Sequence, residues 1–131
     1  MMRQITTPEV PEPPGAIYSN CLVVGQTIYL SAQHAGAPGG GILGDGTVVD
    51  QARQALRKIK ALVEAAGGRM SDVVKLTVFL TDMAHRTELN KARSEFFTGS
   101  GPCSTLVAVP TLIAPGLALA IDAEVVIGAG G

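Results

Sequence analysis

The chain has 131 residues, 47% of them apolar and 16% charged, with a net charge of -1. That length suits one domain with a real core and is too short for two ordinary ones, and the apolar share excludes a disordered chain. Ten Lys and Arg against eleven Asp and Glu, with no Trp and only five other aromatics, argue against a nucleic-acid partner, which needs basic excess and stacking platforms.

The chain starts with Met1-Met2-Arg3-Gln4-Ile5, which lacks the apolar run of a signal peptide. Residues 1–14, with Pro8, Pro11, Pro13 and Pro14, read as an extended arm of a single domain spanning 1–131. Ser19 to Val24 and Thr27 to Ala32 are short strands split by Gly25-Gln26, a hairpin signal. A glycine-rich loop, 36–46, comes next. The helix expected over Val49 to Ala66 places Ala52, Ala55, Leu56, Ile59, Leu62 and Val63 on one face, and Gly67-Gly68 stops it.

Val73 to Leu80 is β-branched and apolar on both faces, the pattern of a central strand. Asp82 is an N-cap for a second helix ending near Phe97. Ser104 to Val109 and Leu117 to Ile127 complete a β-β-α-β-α-β-β order, an α+β fold. From Phe96 to Ile121 no residue is charged. Pro102, Pro110 and Pro115, with Gly99, Gly101 and Gly116, cut that stretch into pieces too short to span a membrane. Two helices cover one face of such a sheet, while the last two strands carry apolar residues on both. Another copy of the chain is the simplest cover for the second face, so the sequence predicts a homo-oligomer.

Gly39, Gly41 and Gly44 spell G-x-G-x-x-G, yet Gly44 still precedes the helix and no acid follows at the end of a second parallel strand. The spacing therefore fits a loop and not a dinucleotide site. His34 and His85 lack partners at metal-ligand spacing, so no metal and no cofactor is expected. His34 follows a strand end, a place from which it can line a cleft. Cys21 and Cys103 are too few for a disulfide framework and read as free thiols of a cytoplasmic protein. Cys103 has no evident base beside it. Arg53, Arg57 and Lys60 make a short basic stripe that reads as a solvated helix face.

Asp122 and Glu124 stand two apart on an otherwise apolar strand and so share a face. A carboxylate there needs a partner or a wet cleft, and either can move its pKa into a working range. The alternative is a strand end simply exposed to water.

In order along the chain, Ala16-Ile17-Tyr18-Ser19-Asn20, Ser31-Ala32-Gln33, Gln51 to Leu56, Ala65-Ala66-Gly67-Gly68 and Asp72 to Lys75 resemble segments of one family. So do Thr77 to Asp82, Asn90 to Phe97, and Ile121-Asp122-Ala123. Singly these are weak; as an ordered set over Gly15 to Val126 they are similar to the YjgF-like or reactive-intermediate deaminase (Rid) family, also called L-PSP endoribonuclease-like.

The resemblance implies a chorismate-mutase-like trimer, its sheets forming an inner barrel, with small ligands bound in three clefts between subunits. It implies ligand contacts from Tyr18, Ser31, Asn90, Ser104, Leu106 and Glu124, and a water-positioning acid at Asp122, with Glu124 as the alternative for that position. The family's deaminases hydrolyse imines and enamines. They clamp the substrate carboxylate with an arginine near the start of the penultimate strand, a bidentate task suited to guanidinium. Here that position falls on Ser104, and no Arg or Lys follows Arg93. Arg86 and Arg93 on the second helix are the guanidinium groups left to reach the cleft from a neighbouring subunit.

The sequence thus predicts an arginine-lacking member of that family. Such a protein would bind, and hydrolyse or tautomerise, a small imine, enamine or carbonyl compound, and would be a poor 2-iminoacid deaminase. A non-catalytic ligand-binding trimer and an endoribonuclease are the competing readings. The neutral charge weighs against the second of these.

Overall fold

The computed structural model describes residues 1–131, and its six strands form one sheet with two helices against it. The strands are β1 (Met2–Gln4), β2 (Cys21–Val24), β3 (Thr27–Gln33), β4 (Val73–Leu80), β5 (Cys103–Ala108) and β6 (Leu119–Val126). The helices are α1 (Val48–Ala65) and α2 (Arg86–Arg93). The sheet order is β1-β2-β3-β6-β4-β5, antiparallel except for β4 and β5, which α2 joins as a parallel crossover.

Local chemistry sets the element ends. Val24 pairs with Thr27 across a two-residue turn, and Gly25 supplies the positive φ of 60° at its first position. Thr47 caps α1 by accepting the Asp50 N–H. At the other end the Gly68 N–H donates to the Val63 carbonyl and the Gly67 N–H to that of Glu64, with Gly67 left-handed at φ 93°. This is a Schellman stop. A Cβ on Gly68 would press on Val63 and Ile28, so this glycine also lets helix and sheet approach.

Two elements differ from their sequence expectation. Residues 2–4 are not bare arm but a sixth strand on β2, a segment too short to carry a periodic signal. Behind it Val10 is buried in the core, and Asn20 Nδ2 donates to the carbonyls of Val10 and Pro11, pinning the proline-rich segment. The second helix is also shorter than expected. Asp82 caps a 3₁₀ turn, Met83–His85, and the α-helical part ends at Arg93.

The core lies between α1, α2 and one sheet face. Leu56, Ile59 and Leu62 of α1 meet Ile28, Leu76, Val78, Leu80, Leu119 and Ile121, all with no solvent exposure. The other face carries mixed chemistry in cross-strand rows. One row runs Leu22, Tyr29, Glu124, Lys75, Cys103; the next Asp122, Thr77, Thr105; the third Ala120, Phe79, Val107. Val24, Tyr29 and Val107 are exposed there. Ala118 and Ala120 are buried within the single chain, without cover from a second copy, Ala120 beside Leu112 and Ile113 of the β5–β6 loop. No helix is long and apolar enough to cross a membrane.

Candidate functional site

In one chain the residues singled out from the sequence fall into three separate places. Tyr18 and Ser31 line a hollow of about 300 Å³ with His34, Phe79, Ile113 and Ala120. Ser31 is fixed there because its hydroxyl donates to the Ser19 carbonyl at 2.7 Å and its N–H to the Asn20 carbonyl. Asn90 and Ser104 line a second hollow of about 370 Å³, between α2 and the start of β5, and share no lining residue with the first. Asp122 and Glu124 stand on the uncovered sheet face, in the rows of Thr77 and Lys75. Leu106 joins neither hollow: it is half-buried, points to the helix side and packs on the core.

Asp122 is set back from the first hollow. The β6 residue that lines it is Ala120, one strand repeat earlier, or about 7 Å along the strand. Burial raises the Asp122 carboxyl above the ordinary aspartate range; neighbouring Thr77 and Lys75 act against this, and Glu124 adds to it. The resemblance puts an acid beside the attacking water. That acid falls on Asp122, while the β6 side chain at the hollow of Tyr18 and Ser31 is the Ala120 methyl group.

The ionisable groups lining that hollow are Tyr18 and His34. His34 Nδ1 accepts the Gly36 N–H at 3.0 Å, so the neutral ring carries its proton on Nε2. Burial, and then the charge of Lys58, hold its pKa below the ordinary histidine value. Lys58 is itself half-buried, with its pKa lowered by burial, and its ammonium donates to the Gly36 carbonyl at 2.9 Å. An adjoining hollow continues from Tyr18 and His34 to Glu12 and Lys58.

Of the two arginines that the sequence left as replacements for the missing guanidinium, Arg93 is the one placed beside Ser104. It leaves the last turn of α2, and Nη1 donates to Ser104 Oγ at 2.6 Å while Nη2 donates to Asn90 Oδ1. The signal was present as the only guanidinium three residues after Asn90, but sequence alone does not say which way an arginine at a helix end turns. Arg86 is exposed and does not line this hollow.

A larger hollow of about 580 Å³, between Met70, Phe96 and Gly130, has Cys103 as its single ionisable lining residue. Cys21 is a buried free thiol whose pKa burial, helped by Glu12, pushes up to about 11; Cys103 is free and exposed. No three His, Cys, Asp or Glu side chains are grouped as a metal site. The loop with Gly39, Gly41 and Gly44 packs on the N-terminal end of α1. A Cβ on Gly44 would collide with the Asp50 carboxylate, so that glycine serves the loop's own packing.

Comparison with known proteins matches residues 10–127 to the family described as endoribonuclease L-PSP. A 2-iminobutanoate/2-iminopropanoate deaminase of Dermatophagoides farinae is 38% identical over 84% of this chain and 85% of its own. Among solved structures, a Pseudomonas aeruginosa protein of unknown function aligns with a TM-score of 0.88 and 36% identity over 98% of this chain and 94% of its own. RidA of an Antarctic Psychrobacter aligns at 0.84 and 34%, over 95% and 99%. With that breadth of match, and the same order of strands and helices that the motifs implied, the chain belongs to the YjgF/Rid family.

Proposed function

We propose that the protein is a homotrimer that binds a small imine, enamine or carbonyl compound in clefts between subunits, and hydrolyses or tautomerises it slowly. One observation carries this: the two hollows that hold Tyr18 with Ser31 and Asn90 with Ser104 are separate and shallow in one chain. Each is half of a site, and a neighbouring copy is the simplest source of the other half. Two exposed isoleucines support it: Ile113, which lines the first hollow, is 78% exposed, and Ile17, next to Tyr18 in the chain, is 81% exposed, apolar surface suited to burial against another chain. Similarity to a relative named as an imine deaminase supplies the substrate class.

Slow turnover follows from the set-back of Asp122 from the Tyr18 hollow. General acid–base help is usually worth about 10²–10⁴-fold in rate, and no carboxylate lines the Tyr18 hollow to give it. Asp122, from one strand repeat away, is the acid proposed to act. Its partly buried setting favours a proton at higher pH than usual. The same feature favours the second reading, a trimer that binds its ligand without turning it over.

The test is light scattering together with a turnover panel of imines and enamines. A mass three times 13.4 kDa is expected, and that of a single chain overturns the trimer. Asp122→Asn is expected to lower turnover by about 10²-fold or more, with Glu124→Gln close to unchanged. Normal turnover in both variants, or no turnover in the parent protein, gives the lead to the binding reading. Fluorescent RNA with a nuclease-free control tests the endoribonuclease reading, and intact RNA is expected.

A further inference from the structure

Arg93 is a half-buried guanidinium with no acid to pair with. Both ion pairs in the chain are made by Arg53, with Asp50 and Glu95. Arg93 also donates to no carbonyl of its own helix, the ordinary use of a cation in a last turn. It reaches across to the strand instead, and its two protein partners, Ser104 Oγ and Asn90 Oδ1, are neutral acceptors. Two of its five N–H groups are so used, which leaves the others for a further acceptor.

The partners are changed by this arrangement. Asn90 turns its amide oxygen to the guanidinium, so its NH₂ remains free. Ser104 accepts through Oγ, so its O–H remains free. With the acceptors occupied, the polar side-chain hydrogens left at this end of the hollow all belong to donors: Arg93, Asn90 and Ser104. A concave surface of donors around one cation fits a small planar anion. The other lining residues are Ser94, Phe97, Gly101 and Pro102, and they add no second cation. A single positive charge matches a monoanionic carboxylate better than a phosphate dianion.

We propose that Arg93 is the carboxylate-binding residue of this protein. The guanidinium is supplied from the end of α2, and Ser104, the strand residue at which the resemblance expected an arginine, serves as its support. The ligand is a small organic monocarboxylate whose remainder points out of the hollow. This assignment rests on the cleft reading for where that remainder goes, but anion binding at Arg93 needs only one chain. It also relocates the reason for weak deamination: the anchor is present, and the acid, Asp122, stands one strand repeat back from the Tyr18 hollow.

The experiment compares butanoate with butanamide, a pair differing in charge, by NMR titration of the wild-type protein and of Arg93→Gln. Butanoate is expected to bind at least about tenfold more tightly than butanamide, the lower bound for a charge-assisted bond. Arg93→Gln is expected to abolish that difference, and inorganic phosphate to bind more weakly than butanoate. A second measurement needs no variant. Phenylglyoxal modifies accessible arginines, and peptide mapping should show butanoate, not butanamide, protecting Arg93 while Arg86 reacts in both. Equal affinity for acid and amide, an Arg93→Gln variant that keeps the preference, or unprotected Arg93 each overturn the assignment. A monomer in which butanoate protects Arg93 removes the intersubunit cleft and leaves the anchor. A trimer that does not distinguish acid from amide removes the anchor and leaves the cleft.

Discussion

The two faces of the sheet are made by the same strands and have opposite tasks. On β6, Ile121 points into the helix-covered face with no exposure, and its neighbour Asp122 points to the uncovered face, half-buried beside Thr77. The first face is completed within the chain by α1 and α2. The second carries Tyr29, Phe79 and Val107 among threonines, two acids and a lysine, a mixture that neither fills a core nor suits open water. The difference teaches where to look for stability and where for function: hydrophobic burial is satisfied on one side, and unmatched chemistry collects on the other and at its margins.

The sharpest way to break this comparison is to truncate the covered face. Ile121→Ala removes buried methyl groups at the centre of the sheet and should destabilise by about 2–5 kcal/mol, read as a lower urea midpoint with an unchanged slope. A loss under about 1 kcal/mol would mean that the covered face is not where folding free energy resides.

A smaller effect is expected where the faces meet at the loops. Gln51 is buried near the start of α1. Its Nε2 donates to the carbonyls of Gly116 and Gly46, and its Oε1 accepts the Ala118 N–H at 2.9 Å. One amide side chain thus ties the helix to the loop that carries Leu112 and Ile113 to the first hollow. Gln51→Ala leaves those backbone groups unpaired and should cost about 1–3 kcal/mol. It should also weaken ligand binding at the Tyr18 hollow while leaving butanoate binding at Arg93 unaltered. Equal weakening of both would mean that the two hollows are not independent in the assembled protein.

What was legible in the sequence follows the same division. Periodicity and stop signals report burial against a partner in the same chain. The hairpin at Gly25, the helix ending at Gly67-Gly68 and the strand Val73 to Leu80 were therefore read to within a residue or two. Residues 2–4 were missed because three exposed residues on a sheet edge carry no pattern. The site was legible as residue types and not as positions. Tyr18 and Ser31 share a hollow and Asp122 is one strand repeat from it, because a site proposed to lie between subunits need not be gathered in one chain. Arg86 and Arg93 were both named, but the choice between them was not legible, because a side chain at a helix end has several acceptors within reach and only tertiary placement of Ser104 selects one.

The smallest effect, and one of opposite sign, is expected at Asp122. Asp72 gives the contrast. It is also buried, which by itself raises its carboxyl, but N–H donation from Gly130, Arg69 and Gly128 outweighs that and holds it below the ordinary aspartate value. A depressed folded-state pKa stabilises the fold above the unfolded value of about 3.9, and that contribution fades as pH falls from there through the folded value. Asp122 has donors too, yet burial dominates and its pKa is raised. Its ionised form therefore opposes folding above the folded value, and stability attributable to it grows as pH falls through the folded value toward about 3.9. Asp122→Asn should leave stability at pH 7 unchanged or slightly higher, within about 0.5 kcal/mol, whereas Asp72→Asn should lower it. Urea midpoints measured from pH 7 down to about pH 3 decide the matter. The parent protein should gain relative to Asp122→Asn on acidification, while the parent's advantage over Asp72→Asn shrinks only below about pH 4. An Asp122→Asn variant markedly less stable at pH 7 would show a carboxylate held by structure, not an acid left unmatched on the uncovered face.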